Sequence, residues 1–245
     1  MSSNYLAVRP DWLALGQEEI LEPDLPIVDA HHHFFDRPGW TYLAGEYLAD
    51  VRSGHGVHST VYMQAQTRYR QEGPANLRAA GETGYVAHAA AALASAGVNV
   101  AAGIVGHADL REGARVREVL QAHIEAGRGR FRGIRHLTTW DADASLVNPL
   151  SAVPARLMLD SAYREGVAQL APLGLSYDAW LFFHQLPELQ DLAEAFPDTT
   201  VIVNHCGGIV RIGPYAQCRD EVFRQWARAM RELAQIGRAS CRERV

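Results

Sequence analysis

The chain of 245 residues contains no lysine; all 23 of its basic residues are arginine. That absence excludes a lysine Schiff base, a lysine general base and a carboxylated-lysine metal bridge anywhere in the sequence. Cysteine is also scarce. Cys206, Cys218 and Cys241 have the spacing of neither a zinc ribbon nor a disulfide framework, so they read as reduced thiols. No strong charge of either sign accumulates: the net charge is −5, and the arginines are scattered rather than striped. Nucleic acid and anionic membranes are therefore disfavoured as partners, and a small molecule is favoured. No apolar run reaches transmembrane length, and residues 1–26 carry acidic groups without the apolar core of a signal peptide, so the expected location is cytoplasmic. A glycine-rich phosphate turn is missing too, since Cys206-Gly207-Gly208 lacks the required spacing.

What is present suits a large globular core, with 48% hydrophobic and 21% charged residues. Apolar runs of strand character recur at 27–30, 59–63, 98–105, 131–137, 179–183 and 200–204. Helical stretches at 75–96, 114–126, 186–196 and 220–235 lie between or after them. This alternation predicts parallel βα units. The first strand runs into histidines instead of a glycine-rich turn, which favours a TIM (β/α)8 barrel over a doubly wound sheet. About six of the eight βα units are found, so the expected barrel is incomplete. Residues 236–245 match, letter for letter, the in-frame translation of a common sequencing-library adapter. The expected organisation is an N-terminal extension over 1–24, a partial barrel domain over 25–235, and an adapter-derived tail over 236–245 that is left out of the fold expectation.

The densest chemical signal is Asp29-Ala30-His31-His32-His33, directly behind Leu25-Pro26-Ile27-Val28. Side chains two apart on a strand share a side, so His31 and His33 are expected to converge at the strand end while His32 faces away. A packing role for the triplet is the alternative. His136, His184 and His205 also fall at or near strand ends, which share one face of a barrel. His107 reads as a loop or capping residue, and His55, His58, His88 and His123 read as surface residues.

Several segments carry a resemblance in order along the chain: 26–36 (PIVDAHHHFFD), 102–110 (AGIVGHADL), 132–136 (RGIRH), 185–189 (QLPEL) and 196–205 (FPDTTVIVNH). Together they resemble the amidohydrolase-related family of barrel hydrolases, and within it the subgroup of sugar, muconolactone and pyrone-dicarboxylate lactonases. The resemblance implies that activated water opens a small, acidic lactone or a related carbonyl compound. Non-oxidative decarboxylation is the second enzymatic reading, and a catalytically inert fragment or binding protein is the reading from another class. A homo-oligomer is compatible with either enzyme. His31, His33 and His184 are the implied ligands of one divalent ion, zinc or manganese. A centre without metal is the other option, and the missing lysine rules out the bridged binuclear form. His205 and His136 are the implied catalytic residues. Arg135 is either a clamp for a substrate carboxylate or one side of a barrel-wall ion pair. Asn204 stands where relatives usually carry aspartate, and the proton-handling aspartate of an eighth strand is expected beyond Gln235.

Overall fold

Parallel strands can be joined only through a crossover, so each apolar run here needs the helical stretch that follows it. The computed structural model describes residues 9–16, 18–147 and 152–236, together with the backbone of 239–242. In chain order the elements are α1 (Pro10–Leu13), β1 (Ile27–His32), the hairpin β2 (Phe35–Arg37) and β3 (Trp40–Tyr42), α2 (Ala44–Val51), β4 (Val57–Met63) and α3 (Ala80–Ala92). They continue with β5 (Asn99–Gly106), α4 (Val116–Ala126), β6 (Phe131–Ile134), α5 (Ser161–Val167), β7 (Ser176–Ala179), α6 (Leu186–Ala195), β8 (Val201–Asn204), α7 (Arg219–Ala234) and β9 (Ala239–Arg242). Strands β1-β4-β5-β6-β7-β8-β9 form one sheet in that order, parallel throughout, and it curls as part of a barrel. None of the helices among the described residues is long and apolar enough to cross a membrane.

All six expected strands occur, with one displaced. The run 179–183 was expected as a strand, but β7 occupies Ser176–Ala179. Leu181 and Phe183 are apolar because they fill the core beyond the strand. Trp180 makes one last bridge to Leu137, and the backbone then turns through Phe183–Gln185 as the Gln185 side chain accepts the Phe182 N–H. The helix expected over 75–96 starts only at Ala80, after a short 3-10 turn that follows Pro74. The backbone of Ala239–Arg242 pairs in parallel with β8. An uncovered sheet edge offers its unpaired peptide groups to any segment that can reach it, whatever that segment's side chains.

Two apolar clusters flank the sheet. The larger lies between β6–β8 and helices α4–α7. The smaller joins Phe34, Tyr47, Tyr62 and Val86 beneath β1, β4 and β5, and His32 stacks on Tyr47 there at 4.0 Å between ring centroids. His123 corrects an expectation: it was read as a surface residue and is fully buried, while His55, His58 and His88 are exposed. Its position three and four residues after Leu120 and Val119 puts it on the inward stripe of α4. The Thr83 hydroxyl lies 2.8 Å from His123 Nδ1, and Nε2–H donates to the His107 carbonyl at 2.9 Å.

Burial pushes the His123 imidazole down to about 4. In the unfolded chain it binds its proton near ~6.5. Between those values the unfolded state holds a proton that the folded state refuses, so stability present at pH 7 is lost as pH falls through this window. The expected cost by pH 5 is about 2 kcal/mol from this residue. Urea midpoints measured at both pH values should fall on acidification, and the fall should be smaller in His123→Gln; equal falls in the two proteins would contradict this.

Candidate functional site

The C-terminal ends of the strands bring together side chains that are far apart in sequence. β1 delivers His31, buried, and His33 follows it, half-buried, with their rings edge to face and centroids 4.9 Å apart. His205, directly after β8, brings its ring to 5.0 Å from His31 and 5.1 Å from Trp180, which follows β7. The convergence expected of His31 and His33 is therefore present, as is the turning away of His32.

Arg135 follows β6 and is only 2% exposed. Its Nη1–H groups face His31 Nε2 at 3.3 Å and Asn204 Oδ1 at 3.5 Å, and Nη2–H donates to the Gln64 carbonyl at 2.5 Å. The guanidinium carbon lies 5.0 Å from the Trp180 ring centre, within cation–π range. Burial lowers the group to about 10, opposed by the attraction of Asp178 and Glu82, so it stays charged at neutral pH. Among the described residues no carboxylate forms an ion pair with it. Asp178 is instead reached through Asn204, whose Nδ2–H donates to Asp178 Oδ1 at 3.1 Å. This explains the departure at position 204: an amide accepts from the guanidinium and donates to the carboxylate, whereas an ionised aspartate only accepts.

These contacts orient the rings. A guanidinium has donors only, so His31 Nε2 accepts from Arg135. The Met63 carbonyl, 2.7 Å from His33 Nδ1, can only accept, so Nδ1–H is the donor there. Asp29 serves the backbone rather than the site: it accepts the His31 N–H at 3.0 Å and the Tyr47 hydroxyl at 2.6 Å.

Two expected site residues lie in other groups. His184 Nε2 is 3.0 Å from Asp141 Oδ2, which also accepts the Tyr215 hydroxyl at 2.7 Å. Burial pushes the Asp141 carboxyl up, but hydrogen bonds from Asp143, Tyr215 and His184 outweigh it and hold the group below its ordinary value. His136 packs beside His107 and Tyr163, with ring centroids 5.5 and 5.3 Å away. Its Nδ1 accepts the Leu110 N–H at 3.2 Å, and burial brings it down to about 3, so it is a neutral acceptor holding the loop after β5.

The three residues read as metal ligands are therefore not gathered. Among the described residues no group of three His, Cys, Asp or Glu side chains is placed to hold an ion. His31 and His33 are the pair that could contribute, but His31 Nε2 already faces the Arg135 guanidinium, a cation that would repel a second one. The donors as arranged do not fit a three-ligand centre.

Sequence reasoning missed Asp178, Gln64, Trp180 and Asp141. Asp178 lies outside the run expected as a strand, and Trp180, read as a residue within that strand, stands just past the end of β7. Gln64 acts through its carbonyl, which no side-chain motif signals. Asp141 stands in a loop well past its strand.

Known proteins resemble this chain at several levels. An uncharacterized protein of Sinorhizobium fredii, y4mH, is 36% identical over 144 residues, which cover 57% of this chain and 43% of that protein's length. An amidohydrolase of Burkholderia multivorans, crystallised with bound zinc, superposes with a TM-score of 0.60 at 23% identity, over 87% of this chain and 68% of its own. A protein of Pseudomonas putida assigned as a 2-pyrone-4,6-dicarboxylic acid hydrolase gives 0.53 at 16% identity, over 88% of this chain and 81% of its own. These two structures establish the barrel architecture alone. The amidohydrolase family model matches residues 28–244, and the chain belongs to that family.

Proposed function

We propose that the protein is a cytoplasmic hydrolase that opens a small, acidic lactone with water. The observation that carries this reading is the cluster at the strand ends in which the His31 ring lies about 5 Å from both its neighbour His33 and the sequence-distant His205. Water adds its oxygen to the lactone carbonyl carbon, the ring C–O bond breaks, and the proton released by water reaches the departing alkoxide, giving a hydroxy acid. His205 and His33 are the groups assigned to that proton, and a positioned imidazole contributes about 10²–10⁴-fold to such a step. Trp180 covers one side of His205 and limits bulk water there.

Acidity of the substrate is supported by Arg135. Its charge has no carboxylate in direct contact among the described residues, so it makes the mouth electropositive. Three of its five N–H donors are engaged by His31, Asn204 and Gln64, so it acts on a substrate carboxylate through its field rather than as a bidentate clamp. A resemblance in fold to the pyrone-dicarboxylic acid hydrolase points to the same substrate class. Non-oxidative decarboxylation is the second reading, and it rests on the family alone.

A panel of lactones and carboxylic acids, with products analysed, tests this reading. Ring-opened hydroxy acids are expected, with kcat lowered by about 10²-fold or more in His205→Asn. Carbon dioxide release without ring opening would overturn the lactonase reading, as would undiminished turnover in the variant.

Of the two cofactor options, one zinc or manganese ion or none, we propose none for this centre. The support is the positively charged Arg135 N–H that faces His31 Nε2, and the engagement of His184 with Asp141. Metal analysis of the purified protein should find well under one equivalent, and hydrolysis should survive a chelator. One equivalent of zinc or manganese whose removal abolishes turnover would reverse this assignment.

A further inference from the structure

The turn that presents His205 is unusual in its backbone. His205, Cys206, Gly207 and Gly208 have φ values of 49°, 48°, 75° and 61°, four left-handed residues in succession. Glycine takes this region freely, but for histidine and cysteine it is disfavoured, so surrounding contacts must hold it. Those contacts come from two sides. A Cβ placed on Gly208 would lie 1.8 Å from the Leu181 carbonyl oxygen, so the turn presses directly on the backbone that leaves β7. A Cβ on Gly207 would meet Met230 Sδ at 3.0 Å and Leu186 Cδ2 at 3.1 Å, on α7 and α6. Across this packing the half-buried indole of Trp226, on α7, donates Nε1–H to the Cys206 carbonyl at 2.6 Å. The peptide next to His205 is thereby tethered to a helix on the outer layer of the barrel.

We infer that Trp226 is a positioning residue for His205. Its indole N–H holds the Cys206 carbonyl in the orientation that the left-handed turn requires, and the turn sets the His205 ring between His31 and Trp180. The role rests on the assignment of His205 to proton handling, but the geometry it controls can be read without turnover. Relaxation of the turn toward ordinary φ values would rotate the Cα–Cβ bond of His205 and carry its ring out of the cluster, while leaving His31, His33 and their partners in place.

Histidine ring and tryptophan indole resonances of the 15N-labelled protein provide the test, with His205 assigned from His205→Asn. The Trp226 indole proton should exchange slowly with solvent in the unaltered protein. In Trp226→Phe, which keeps an aromatic ring and removes only the donor, the His205 ring signals should move while those of His123 and His184 stay. Gln225→Ala, on the exposed side of the same helix, should move none of them. If hydrolysis is established, Trp226→Phe should lower kcat several-fold with KM little changed. Fast exchange of the indole proton would overturn the inference even if Trp226→Phe fails to fold, and so would an unmoved His205 signal in a folded variant. A moved His205 signal in a protein that opens no lactone would leave this inference standing and remove the proposed activity instead.

Discussion

A guanidinium taken out of water must find its hydrogen bonds inside the protein, and Arg135 finds them on three other strands. From β6 it reaches His31 on β1, the carbonyl of Gln64 at the end of β4, and Asn204 at the end of β8, while Trp180 after β7 covers its face. One side chain thus ties together the strand ends that carry the candidate chemistry. The desolvation of that charge is offset only while the partners stay in place, which makes the arrangement all-or-none rather than adjustable. Asp178 contributes the nearest large attraction, yet Asn204 is interposed between the two charges.

The same constraint shapes the histidines. Arg135 donates to His31 Nε2 and fixes that ring from one side, and His33 is fixed by donating Nδ1–H to the Met63 carbonyl. His205 is held differently, by backbone that other elements force into the left-handed region. A pair fixed by hydrogen bonds and a third imidazole fixed by a strained turn are held in place before any substrate arrives. This is preorganisation in its electrostatic sense. Burial, reinforced by neighbouring positive groups, disfavours the charged forms of His136 and His123, and they serve packing and loop support.

Much of this was legible in the sequence. The alternation of β-rich and helical runs located six parallel strands, and the period of two along β1 separated His31 and His33 from His32. Legibility failed where burial and secondary structure part company. Leu181 and Phe183 look like strand residues because the core needs apolar groups there, but the chain has already turned. His123 looks like a surface residue because imidazole is polar, but its two nitrogens are satisfied by Thr83 and the His107 carbonyl. Arg135 was recognised as a site residue with two open roles. Its partners, a backbone carbonyl, an amide and an imidazole, could not be read from spacing, because three of the contacts bridge 69 to 104 residues.

The dependence on Arg135 is open to one direct measurement: urea unfolding of Arg135→Lys beside the unaltered protein. Lysine keeps the positive charge and loses the planar fork, so it cannot serve His31, Asn204 and Gln64 together. A loss of about 2 kcal/mol or more is expected, the scale of a single buried hydrogen bond to a charged group. A change within about 0.5 kcal/mol, the range of ordinary surface substitutions, would contradict the central place given to this guanidinium.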